Sequence, residues 1–251
     1  MTKTLTDGNG TTHFFDVYPA KRTRHVNDVI GKAMLFIPIG TSMVEQVPML
    51  IYYHGHNKQA SIERYVKAQK ERDFRPLLAS KKVLLVQPWG GHYSNFGALQ
   101  TAAGVSALID QAMFIALTYG PPVRPMPPLG TPTPKPQSLI IAGFSGGGHP
   151  LNSVVIDSKG DYLNRLTEAW SFDSMYWAEG QKWVNWAHGS GNSGKKLRVR
   201  LSTGEDSGKP RAQAEIIRKA IKGAPAGNID IDQPITSTHE ELPGRFIPGW
   251  L

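Results

Sequence analysis

The chain has 251 residues, 40% of them hydrophobic and 19% charged, with no cysteine and a formal net charge of +8. That apolar content supports a sizeable core and excludes a disordered or coiled-coil chain. The lack of cysteine excludes a disulfide scaffold, a thiol nucleophile and any Cys-based zinc or iron–sulfur site, and no run approaches about 18 apolar residues, so no membrane-spanning helix is expected.

The opening MTKTLTDGNG has no charged segment followed by an apolar one, so no signal peptide is visible and a cytoplasmic setting is expected. Residues 12–17 (THFFDV) and 33–39 (AMLFIPI) read as early strands, and 48–53 (PMLIYY) as a buried strand ending in His54-Gly55-His56-Asn57. Helical spacing follows over 61–79, with Ser61 as N-cap and a break at Pro76. Residues 83–86 (VLLV) form the next strand, and 99–117 a long helical pattern. The Pro-rich stretch 121–137 can be neither helix nor inner strand and reads as a surface excursion within one domain spanning 1–251.

Residues 138–142 (SLIIA) form a buried strand running into Gly143-Phe144-Ser145-Gly146-Gly147, with a helix beginning over 151–156. Further strands are expected at 167–172, 197–201 and 228–235, and helices at 178–187 and 211–221; His239 follows in a polar tail. This alternation argues for an α/β fold with a mostly parallel central sheet and helices on both faces. In such sheets ligands sit beyond the carboxyl ends of the strands, so the residues after each run matter most.

G-x-S-x-G between a strand and a helix forces its serine onto a tight, strained turn that projects the hydroxyl above the sheet. Ser145 is therefore the candidate nucleophile. The alternative, a phosphate cradle at 146–148, lacks the required Lys-Ser/Thr ending. A serine needs a base, and His239 follows the last strand, where the order nucleophile–acid–base puts it. The acid is Asp173 after TEAWSF, with Asp206 after LRVRL as the alternative. Asp173 sits among Trp170, Phe172, Tyr176 and Trp177, where a carboxylate is costly to bury unless an imidazole N–H pairs with it.

Oxyanion donors are expected from the amide of Gly146 and the backbone of Gly55 or His56. A metal pair of His54 and His56 is the weaker reading, because no carboxylate pair accompanies it. His54, Trp89, Tyr93, His149, Tyr176 and Trp177 are the expected pocket residues.

From about Ala33 to His239 the chain resembles the α/β-hydrolase superfamily, on its HGHN loop, its GFSGG elbow, two acids after later strands and a terminal His. The FDSMYW segment is also similar to bacterial serine hydrolases in which an acid leads a D-x-x-Y segment after this strand, which supports Asp173. The chain departs from lipases and cutinases in lacking disulfides, and from many esterases in carrying Gly148-His149 after the elbow and no large helical lid. The resemblance implies a cofactor-independent serine hydrolase cleaving small or polymer-linked carboxylic esters. An amidase, peptidase or acyltransferase would use the same triad, and a non-catalytic binding protein is the reading of another class. The basic residues are scattered without interleaved aromatics, so nucleic acid is not an expected partner.

Overall fold

The computed structural model describes residues 3–17, 31–41, 46–68, 73–120, 132–176, 179–192, 194–203, 208–223, 227–232 and 235–251. One nine-stranded sheet runs through it: β1 (Lys3–Asp7), β2 (Gly10–Val17), β3 (Gly31–Pro38), β4 (Met49–Tyr53), β5 (Leu84–Pro88), β6 (Leu139–Phe144), β7 (Leu166–Phe172), β8 (Lys196–Arg200) and β9 (Ile229–Ile231). The spatial order is β1-β2-β3-β5-β4-β6-β7-β8-β9. The pairings from β5 through β4 to β9 are parallel; β1, β2 and β3 join antiparallel at one side. The sheet is thus mostly parallel, as the alternation predicts.

The central strands β4, β5 and β6 are buried at every residue. A parallel strand covered on both faces has no solvent side, which explains why these segments read as unbroken apolar runs. Alternate side chains divide between two cores. Met49, Ile51 and Tyr53 of β4 face one; Leu50 and Tyr52 face the other. The first core is closed by α3 (Ala102–Tyr119), α4 (Gly148–Val155), α5 (Gly180–His188) and α6 (Gly208–Gly223). The second is closed by α1 (Ile62–Ala68), α2 (Arg75–Lys81) and α7 (Leu242–Trp250).

The expected helix over 61–79 is two helices, the second beginning at Arg75-Pro76 because Pro is tolerated only in a helix's first turn. The helix after the elbow starts at Gly148, ahead of the expected 151. The last strand is shorter than 228–235, with a single parallel bridge from Ser202 to Ile235 beyond it. Helix α3 has the length and hydropathy of a membrane span, contrary to the sequence expectation, but half of it is buried inside the fold. Of the Pro-rich stretch, 121–131 lies outside the described residues; 132–136 carries no regular structure.

Two elements were not legible. Strand β1 (KTLTD) is polar and largely exposed at a sheet edge, so it carries no burial signal. Helix α7 (LPGRFIPGW) holds two Pro and two Gly, which locally read as loop. Packing overrides that composition. Leu242 and Ile247 are fully buried, worth about 2 kcal/mol each. Trp250 stacks on Phe172 at 5.1 Å and lies under the Arg200 guanidinium at 4.8 Å.

Candidate active site

Strand β6 delivers Ser145 at φ +50°, a left-handed conformation that a β-carbon disfavours. The glycines around it are required by contact. A β-carbon on Gly143 would stand 2.6 Å from the Gly147 carbonyl oxygen, and one on Gly147 2.1 Å from that of Tyr53. Gly148 has a role that sequence reading missed: its β-carbon would meet the Ser174 carbonyl oxygen at 1.6 Å. The elbow helix therefore packs backbone to backbone on the loop after β7.

That loop carries Asp173, also at positive φ (+45°) and fully buried. Its Oδ2 accepts from His239 Nδ1 at 3.0 Å and from the Ser202 hydroxyl at 2.6 Å, and its Oδ1 accepts from the Ser202 amide at 3.0 Å. Donors around both oxygens meet the cost of burying the carboxylate. Ser202 is the residue that sequence reading missed; its position two residues past the end of β8 was the available signal. Asp206 lies outside the described residues, as does Trp177.

His239 opens a short 3-10 turn before α7, with Thr238 and Glu241 forming a capping box. Its ring lies tilted against that of Phe144, with centroids 4.7 Å apart. Ser145, Gly146, His56, His149, Tyr176 and His239 all line one cleft of about 820 Å³. The Tyr176 phenol oxygen stands 3.4 Å from Ser145 Oγ.

Two of the expected pocket residues, His54 and Trp89, do not line that cleft. His54 is fully buried, and burial lowers its pKa to about 4. The neutral ring donates from Nδ1 to the Gly55 carbonyl at 2.6 Å and accepts at Nε2 from the Gly90 amide at 3.1 Å. Both nitrogens are engaged by backbone, so neither is left for a metal. Trp89 packs on that ring at 4.9 Å. Because carbonyl and amide of a trans peptide point opposite ways, the bond to Gly55 also orients the His56 amide. Gly55 itself lies against the nucleophile: a β-carbon there would stand 2.8 Å from Ser145 Cβ.

Glu179, the residue that precedes α5, is buried. Burial drives its carboxyl up from 4.5 to about 7, against the Tyr176 backbone hydrogen bond and Lys182, with Asp157 adding to the rise. A carboxyl with a raised native pKa binds more protons folded than unfolded, so stability falls as pH rises from 4.5 to about 7. Glu179→Gln should therefore melt above wild type at pH 8, with the gap shrinking toward pH 5. A gap that is constant with pH would contradict this.

No protein-family model matches the sequence, and no curated protein matches it. Solved structures do match in fold. An S-formylglutathione hydrolase from Agrobacterium tumefaciens superposes with TM-score 0.57 at 10% identity, covering 99% of this chain and 96% of that one. A feruloyl esterase module from Clostridium thermocellum, complexed with sinapinate, gives 0.59 at 12%, covering 93% and 85%. A cold-adapted esterase from an Arctic intertidal metagenomic library gives 0.56 at 16%, covering 100% and 97%. With the strand order and the strand–serine–helix elbow, these likenesses define the α/β-hydrolase fold.

Proposed function

We infer that the protein is a serine hydrolase of carboxylic esters, built as one α/β-hydrolase domain, with Ser145 as nucleophile, His239 as base and Asp173 as orienting acid. The observation that carries this reading is the hydrogen bond, 3.0 Å long, between the fully buried Asp173 carboxylate and His239, whose imidazole opens on the cleft holding Ser145. The carboxylate accepts at Nδ1, which leaves Nε2 unprotonated and ready to take the serine proton. The esterases among the structural neighbours support the same reaction class.

In this scheme His239 Nε2 removes the Ser145 hydroxyl proton as Oγ bonds to the ester carbonyl carbon. The negative charge on the former carbonyl oxygen is held by the Gly146 amide and by the Gly55–His56 backbone. The tetrahedral adduct collapses, the C–O bond to the alcohol breaks, and His239 returns the proton to that oxygen. Water, deprotonated by His239, then attacks the acyl-enzyme carbonyl; the bond from that carbon to Ser145 Oγ breaks, His239 returns the proton to Oγ, and the acid is released. Every step is a proton or acyl transfer between these groups and water.

A fluorophosphonate probe tests the nucleophile directly. The expected result is one adduct per chain, on the peptide containing Ser145, as read by mass spectrometry. Labelling confined to another residue, or no labelling of folded protein, would overturn the reading.

A further inference from the structure

Tyr176 lines the cleft but takes no part in the proton and acyl transfers described above. Its side chain is half-buried, and among the described residues its phenol is the one side-chain group hydrogen-bonded to Ser145 Oγ, at 3.4 Å. Catalytic hydrogen bonds are commonly long at rest and shorten in the transition state.

The backbone holds this phenol in place. Asp173, Ser174 and Met175 are all buried, and Ser174 bonds hydroxyl to hydroxyl with Ser171 at 2.7 Å. The Ser174 carbonyl packs on Gly148 of the elbow helix, where no β-carbon fits. Of residues 173–176, Tyr176 is the one that lines the cleft. Nucleophile and phenol are therefore carried by two segments packed backbone to backbone. The side of approach decides the role. Strand β6 lies between β4 and β7. The Gly55–His56 loop follows β4 and Tyr176 follows β7, so the two flank Ser145 from opposite sides of the elbow strand. The oxyanion belongs to the β4 side, which leaves the phenol facing the nucleophile's own oxygen.

A hydroxyl has one proton to give and two lone pairs that accept. If Ser145 donated to Tyr176, its proton would be directed away from His239. If Tyr176 donates to Ser145, the serine proton stays available to His239 and the phenol meets the charge that builds on Oγ. Hydrogen bonds to ionised acceptors are stronger than those between neutral groups, so the contact tightens as that charge appears. Resting on the serine-hydrolase reading above, we propose that Tyr176 is a further catalytic residue, whose phenol donates a hydrogen bond to Ser145 Oγ. It acts as Oγ loses its proton to His239 and bonds to the carbonyl carbon. It acts again in deacylation, when the C–Oγ bond breaks and its electron pair returns to Oγ before His239 hands back the proton. The phenol keeps its own proton throughout.

Tyr176→Phe keeps the ring and removes the donor. With p-nitrophenyl acetate it should lower kcat and kcat/KM alike by about 10-fold, with KM within about twofold, the pattern of a contact made only in the transition state. Labelling of Ser145 by a fluorophosphonate needs attack by Oγ but no deacylation, and should slow by a similar factor. These rates are read well below the melting transition, so that lost stability is not mistaken for lost catalysis. On kcat/KM, the loss should be no larger for ethyl acetate than for p-nitrophenyl acetate. A larger loss for ethyl acetate, the ester with the poorer leaving group, would put the phenol on the leaving oxygen and overturn the proposal. Wild-type labelling and turnover, or a loss confined to KM, would overturn it as well. In each of these cases turnover abolished by Ser145→Ala keeps the hydrolase reading. Wild-type protein that is neither labelled at Ser145 nor active on esters fails that reading, and the proposal with it.

Discussion

Ser145→Ala is expected to lower kcat for p-nitrophenyl acetate by at least about a thousandfold, because the residual rate then comes only from oxyanion stabilisation and binding. The fold should survive. Alanine keeps the β-carbon, the positive φ of +50° and the glycine packing at 143 and 147, and removes only a hydroxyl whose neighbour is the Tyr176 phenol at 3.4 Å. An unchanged melting temperature with lost turnover is therefore the signature sought. Turnover that persists near the wild-type rate in the alanine variant would sink the nucleophile assignment.

The second large effect is expected at Asp173. Asp173→Asn should reduce kcat by about 10²–10⁴-fold, because an amide presented to Nδ1 favours the wrong imidazole tautomer. Stability should also fall. The carboxylate accepts from the Ser202 amide, the Ser202 hydroxyl and His239, and the Asn side-chain NH₂ would turn a donor toward donors in a site closed to water. Ser202→Ala separates the two contributions: it removes one of those bonds and leaves the His239 pair in place, so it should cost stability more than turnover. Asp206→Asn supplies the contrast, with activity expected near wild type. A larger loss at Asp206 than at Asp173 would hand the acid role to Asp206.

Much of the architecture was legible because central parallel strands must be apolar throughout. Runs such as PMLIYY, VLLV and SLIIA leave few other readings, and the residues that follow them fall at one edge of the sheet. The G-x-S-x-G glycines were legible for a related reason: where two backbones come within contact distance only a hydrogen fits. Strand β1 escaped because an exposed polar edge strand has no burial pattern, and α7 because its stability comes from Trp250, Leu242 and Ile247 docking on the sheet rather than from local propensity.

The sequence by itself determined the strand–helix alternation, the strained position of Ser145 and the short list of acids and bases, since each depends on local spacing and on glycine where no side chain fits. Tertiary structure alone decided that His239 meets Asp173 across 66 positions of chain, that Ser202 shares that carboxylate, and that His54 turns inward to brace the Gly55 loop while His56 lines the cleft. Those outcomes depend on which strands lie side by side and on which side chains find hydrogen-bond partners once water is excluded, and neither is written in the spacing of residues along the chain.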